Sequence, residues 1–224
     1  MKKIILLCCL SFLFTKAQAQ NSPENKLGTW FMYNGSHTIS SHYTLKTMAH
    51  YRYFETTSEF QQSIYRIGLN YQLTKNLSFT LGLSAVETDT EYKSPSELLT
   101  EYRIYEDLLL NTNLTKLKLR HRFRLEHRFL ELQGIKSTLN WLRYDINASY
   151  PISKVWTAYA FNEIFINFEG DLVPQNWTGG GLVYKLNSNV KFKVGYFYQK
   201  LKTTGFNRLQ LGVILNTDFR KKTI

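Results

Sequence analysis

Residues 116–131 read KLKLRHRFRLEHRFLE, and apolar and charged positions alternate through most of the stretch. Every even position from Lys116 to Arg128 is charged, and the odd positions from Leu117 to Phe129 are Leu, Leu, His, Phe, Leu, His and Phe. A helix, repeating every 3.6 residues, would scatter these charges around its circumference. A strand sorts them onto one face, because its side chains alternate with period two. The stretch therefore predicts a strand with one basic and one apolar face.

The same alternation recurs. Leu77, Phe79, Leu81 and Leu83 oppose Ser78, Thr80, Gly82 and Ser84, and Val190, Phe192, Val194, Tyr196 and Tyr198 oppose Lys191, Lys193, Gly195, Phe197 and Gln199. About eleven such segments lie near 29–37, 43–54, 61–73, 76–88, 98–110, 115–131, 137–150, 154–168, 175–187, 189–201 and 205–219. Most are long enough for a tilted strand to cross a bilayer, which takes about 9–11 residues. Strands of globular proteins are mostly nearer 5–6. Short turns are expected at 74–76, around Asn113, at 151–154 and at 187–189, and mostly longer links at 55–60, 89–97, 132–136, 169–174 and 200–205. Short turns at one end and longer loops at the other are the pattern of outer-membrane barrels. Such barrels have even strand numbers in bacteria, so eleven segments predict ten strands, if 29–37 is not a full strand, or twelve, if one is hidden.

The N-terminus changes the setting. Met1-Lys2-Lys3 is basic, Ile4 to Phe14 is apolar but too short to span a bilayer, and Ala17-Gln18-Ala19 is a cleavage pattern. Residues 1–19 are read as a secretory signal peptide and 20–224 as one domain. Both cysteines, Cys8 and Cys9, fall in the leader. The exported chain would then carry no disulfide or thiolate site, and 25 basic against 17 acidic side chains, a charge of +8. No later stretch is apolar enough for a transmembrane helix.

These features predict an all-β chain: a transmembrane antiparallel up-and-down β-barrel of about 10–12 strands in the outer membrane of a Gram-negative cell. A soluble periplasmic β-sandwich binding protein is the alternative, since it too alternates polar and apolar residues. In a barrel, Arg120, Arg122, Arg124, Glu126 and Arg128 point into the lumen, because Arg or Lys on the lipid face at the midplane costs about 2–4 kcal/mol. Glu101 and Asp107 before this strand, and Asp145 and Glu163 after it, have the opposite sign. The candidate lumen cluster is Arg103, Asp107, Arg120, Arg122, Arg124, Glu126, Arg128, Arg143, Asp145 and Glu163. It is either a packed set of ion pairs or an open basic channel for anions. Aromatics at Tyr51, Tyr53, Phe54, Phe161, Phe165, Phe168, Tyr196, Phe197 and Tyr198 are expected to form interfacial girdles.

Several stretches together resemble a known family. They are Leu119–Phe129 (LRHRFRLEHRF), Ala160–Asn167, Gln175–Gln199 with its GLVYKLNSNVKFKVGYFYQ, and Leu209–Lys221 (LQLGVILNTDFRK), with Gly28–Tyr33 (GTWFMY) and His50–Tyr53 (HYRY) upstream. Their order resembles the Bacteroidota outer-membrane family catalogued as domain of unknown function 2490. The resemblance implies an outer-membrane β-barrel and carries over no catalytic residue.

Candidate chemistry is sparse. The five histidines, His37, His42, His50, His121 and His127, have no H-E-x-x-H spacing. His121 and His127 fall on the predicted outer face, which leaves a lipid-modifying enzyme as an alternative, without a G-x-S-x-G nucleophile motif to support it. Gly179-Gly180-Gly181 lacks the Lys-Ser/Thr of a phosphate loop and marks a bend or a close backbone approach. No cofactor and no metal is expected. Expected partners are outer-membrane lipid, the barrel-insertion machinery during assembly, and a small solute or anion if the lumen is open. Nucleic acid is not expected of an exported chain without a basic cluster outside the strands. The function read from sequence is a structural barrel or narrow, porin-like pore, not an enzyme.

Overall fold

The computed structural model describes residues 22–94 and 96–220. The signal peptide expected at 1–19 lies outside the described residues. A 3-10 turn at Pro23–Asn25 leads into eleven strands among the described residues: β1 Leu27–Thr38, β2 Tyr43–Tyr53, β3 Phe60–Gln72, β4 Leu77–Thr88, β5 Leu99–Leu114, β6 Leu117–Leu132, β7 Ile135–Pro151, β8 Trp156–Asn167, β9 Gln175–Lys185, β10 Val190–Leu201 and β11 Gly205–Asp218. Consecutive strands pair antiparallel, and β1 meets β11 to close a barrel.

The count is eleven, not the expected ten or twelve. Strand direction reverses at every hairpin, so an odd count leaves the first and last strands pointing the same way. They pair in parallel along all of β1, from Leu27 opposite Asn207 to Thr38 opposite Asp218. The segment at 29–37 is thus a full strand, and no twelfth is needed to close the sheet.

One end of the barrel carries the links 39–42, 73–76, 115–116, 152–155 and 186–189, none longer than four residues. The other carries 54–59, 89–98, 133–134, 168–174 and 202–204. These are called the turn end and the loop end below. Two expectations are corrected. The link at 132–136 is a tight two-residue hairpin, with Gln133 at φ 52 and Gly134 at φ 76, the left-handed pair that matches strand twist. Asn113 lies within β5, and its turn falls at Thr115-Lys116, with Thr115 at φ 57.

Burial alternates along the strands. On β4, Ser78, Thr80, Gly82, Ser84 and Val86 are buried, while Phe79, Leu81, Leu83 and Ala85 are exposed. The exposed set continues around the barrel with Ile67, Leu69, Ile104, Leu108, Phe123, Phe192, Val194, Leu211 and Val213. A β-sandwich would bury such a face; here the apolar face points out and the polar face points in.

Inside, wall size is complementary. Glycines on β3 and β4 make room for Tyr105 of β5. A Cβ at Gly82 would stand 2.5 Å from the Tyr105 ring and hydroxyl. A Cβ at Gly179 would overlap Phe197, so this glycine gives the close approach expected of the Gly179–Gly181 run.

The girdle expectation is only partly right. Tyr51, Tyr53, Tyr196 and Tyr198 sit on the outer face, and Phe168 is exposed at the loop end. Phe165 and Phe197 instead form an interior cluster with Trp30, Met32 and Trp177, against which Phe161 packs, and Phe54 is buried. The reason is parity: Phe161 and Phe165 stand two residues either side of Glu163, and Phe197 two from Gln199, so each shares a polar neighbour's inward direction.

Candidate functional site

The interior is built by strands that each bring one charged row inward. All ten candidate residues lie on the inner face: Arg103 and Asp107 on β5, Arg120, Arg122, Arg124, Glu126 and Arg128 on β6, Arg143 and Asp145 on β7, and Glu163 on β8. Register brings them side by side. Asp107 stands opposite Arg124, Arg122 opposite Asp145, and Asp145 opposite Glu163, although of these facing residues only Asp107 and Arg124 pair directly.

Glu126 is the hub. Its Oε1 lies 2.9 Å from Arg143 Nη1, 3.5 Å from Arg124 Nη1 and 3.5 Å from Arg66 Nη2, and its Oε2 lies 3.5 Å from Arg103 Nη1. Four guanidiniums from β3, β5, β6 and β7 therefore meet one carboxylate across the lumen. Further carboxylates extend the lattice. Asp107 accepts two bonds from Arg124, at 2.6 and 2.7 Å. Glu101 accepts from Arg103 at 2.7 and 2.8 Å and from Arg128 at 2.5 and 3.0 Å. Glu163 Oε1 accepts from Arg122 at 2.6 Å and from Arg143 Nε at 2.9 Å. Paired, charge-assisted bonds of this kind let ionised groups persist away from water. Arg120 and Asp145 form a separate pair at 3.4 Å, its arginine half exposed.

Cations outnumber anions. Seven arginines share five carboxylates in these pairs. Arg52, Arg208, Lys46 and Lys193 also reach the interior, and among the described residues none has a carboxylate within ion-pair distance. Arg52 lies over the Trp30 ring at 3.6 Å. Arg208 lies over Phe206 at 4.5 Å, Lys46 bonds Ser36 Oγ at 2.8 Å, and Lys193 lies over Tyr159 at 4.4 Å. Arg66 and Arg124 flank the Tyr105 ring at 4.8 and 4.5 Å. Sequence reasoning left Arg52, Arg66 and Arg208 out. Their parity was readable: Arg52 stands two residues from His50, Arg66 two from Gly68, and Arg208 two from Gln210.

The outer face has its own polar spots. His121 Nδ1 is 2.8 Å from the Tyr144 hydroxyl. His127 Nδ1 is 2.7 Å from Asn140 Oδ1, and its Nε2 is 3.7 Å from Glu106. Among the described residues no serine or threonine hydroxyl bonds either ring. At the loop end, Glu55 accepts from the Tyr92 hydroxyl and from Ser58 at 3.1 Å, with Lys93 at 3.3 Å. Those bonds, the Tyr92 one first, hold its carboxyl below the usual carboxylate range.

Comparison with known proteins gives a family. The model of the family described as "Protein of unknown function (DUF2490)" matches residues 27–210. No curated protein matches the chain. Similar solved structures include a porin and LpxR. The NanC porin is 14% identical, with a TM-score of 0.49 over 77% of this chain and 87% of its own. LpxR from Salmonella typhimurium is 9% identical, with a TM-score of 0.48 over 91% of this chain and 92% of its own.

Proposed function

The chain belongs to the DUF2490 family of proteins of unknown function, and from that premise we propose that it is an integral outer-membrane β-barrel with a narrow, charged lumen, structural or weakly conducting rather than enzymatic. One observation carries the reading: the barrel is inverted relative to a soluble protein, with aliphatic and aromatic side chains outside and ion pairs inside. A twelve-residue strand such as β4 is about 40 Å long at roughly 3.3 Å per residue. Tilted by about 40°, it covers roughly 30 Å, enough for an apolar band about 25 Å tall.

The leader at 1–19 would deliver the chain to the periplasm, the insertion machinery would place it, and lipid would cover its outer face. The resemblance points to Bacteroidota as the source. Side chains from four strands converge on Glu126, so the lumen passes small ions or solutes at most. A non-catalytic role is supported by His127, which is held by Asn140 and Glu106 rather than by a nucleophilic hydroxyl. Cell fractionation with heat-modifiable gel mobility tests the reading. The protein is expected in the outer-membrane fraction, migrating differently before and after boiling. Recovery as a soluble periplasmic protein with unchanged mobility would overturn it.

A further inference from the structure

The interior holds a chamber of about 290 Å³, roughly ten water volumes and close to the lower size of small-molecule sites. Its charge is lopsided. Nine cationic side chains line it against three carboxylates, Glu126, Asp145 and Glu163, and each of those three already bonds arginine.

Two matched pairs face each other across it. On one wall the Arg52 guanidinium of β2 lies 3.6 Å over the Trp30 ring of β1. On the other, the Arg128 guanidinium of β6 lies 4.0 Å over the Trp141 ring of β7. With eleven strands in the closed order, β1–β2 and β6–β7 are on opposite sides. Both pairs line the chamber.

The chamber is also rich in idle donors. Trp30 Nε1, Trp141 Nε1, Arg52 Nε and Arg122 Nε are buried and have no acceptor. Indole and guanidinium nitrogens only donate. Arg52 makes one other bond, to Gln62 Oε1 at 2.6 Å. Among the described residues two idle acceptors also line the chamber: the amide oxygen of Gln61, which would present its NH2 if that amide turned, and His50 Nδ1, whose ring donates through Nε2 to Asn34 Oδ1 at 3.3 Å. Buried polar groups are normally satisfied. A set of donors with surplus positive charge is satisfied by an oxyanion, and the flat indoles flanking it suit a ring.

We propose that this chamber binds a small organic carboxylate, its oxyanion taking the N–H groups of Arg52 and the indoles and its ring lying between Trp30 and Trp141. The inference rests on the reading of the chain as a membrane barrel with a charged interior.

Calorimetric titration of the detergent-folded barrel tests it, with benzoate as the charged ring, benzamide as its neutral counterpart and sulfate as an oxyanion without a ring. Benzoate is expected to bind at least about tenfold more tightly than benzamide, since bonds to charged groups are worth a factor of about ten to a hundred, and more tightly than sulfate, which has no ring to lie between the indoles. Arg52→Gln is expected to weaken benzoate by about tenfold. Arg208→Gln removes a buried cation that does not line the chamber, and is expected to change affinity less than about twofold. Equal binding of benzamide or of sulfate, no benzoate binding, or equal losses in the two variants would overturn the proposal. Each variant is first checked for heat-modifiable mobility. A wild-type chain that lacks it refutes the membrane-barrel reading, whereas a folded barrel indifferent to benzoate refutes only the chamber.

Discussion

Glu126 shows how much one residue holds. It is almost wholly buried, at 1% exposure, and among the described residues it is the one carboxylate paired with Arg66. Glu126→Gln keeps the shape and removes the charge, leaving four guanidiniums converging on a neutral amide. Breaking a buried ion pair from one side costs about 3–5 kcal/mol, so the variant is expected to unfold at clearly lower urea, read as loss of the fast-migrating unboiled band. Adding Arg66→Met, which withdraws one of the stranded cations, should recover part of the loss. An unchanged midpoint in Glu126→Gln would mean that the other carboxylates carry the lattice alone. The inward direction of Glu126 was legible in the sequence, because alternation on β6 admits one assignment. Its partners were not. Arg66 is sixty residues away in the chain, and only the stagger of β3 to β6 around a closed barrel brings it within 3.5 Å.

Strands were legible where their two faces differ, and ambiguous where both are apolar. On β8 the run Phe161-Asn162-Glu163-Ile164-Phe165 has bulky apolar residues at both parities, and reading it by aromatic content put Phe161 and Phe165 at a membrane interface. The charge at Glu163 decides the parity, because an unpaired carboxylate on the outer face is the costlier choice. Turns were less legible than strands, since a hairpin bend is set by a pair of backbone angles and not by composition. At Thr115 the β-branched side chain sits at φ 57, a region that costs an L residue roughly 1–2 kcal/mol. Thr115→Gly keeps that backbone and removes the clash. It is expected to raise stability by about 1 kcal/mol, seen as a higher urea midpoint with the same band shift. A lower midpoint would show that the Thr115 side chain contributes more than its backbone costs.

At the scale of the whole barrel, the odd strand number has a geometric consequence. An even meander returns its last strand to the end where the first began. Eleven strands do not: β1 begins at the loop end with Leu27, and β11 finishes at the turn end with Asp218. Outer-membrane barrels keep their short turns in the periplasm and their longer loops outside. The segment before β1 is therefore expected at the cell surface and the C-terminal end of β11 in the periplasm. The sequence makes this testable, because its only cysteines are Cys8 and Cys9, in the segment read as a leader. Single cysteines placed at Ser22, in the loop at Thr56 and in the turn at Ser188 give three reporters on an otherwise thiol-free exported chain. In intact cells a membrane-impermeant maleimide should label Ser22→Cys and Thr56→Cys, and should reach Ser188→Cys only after the outer membrane is opened. Labelling of Thr56→Cys without Ser22→Cys would place the start of β1 at the other end and break the parallel seam with β11. The seam is where the even-number rule and the closed geometry disagree, so the Ser22 reporter decides between an eleven-stranded barrel and a ten-stranded one in which 29–37 does not cross.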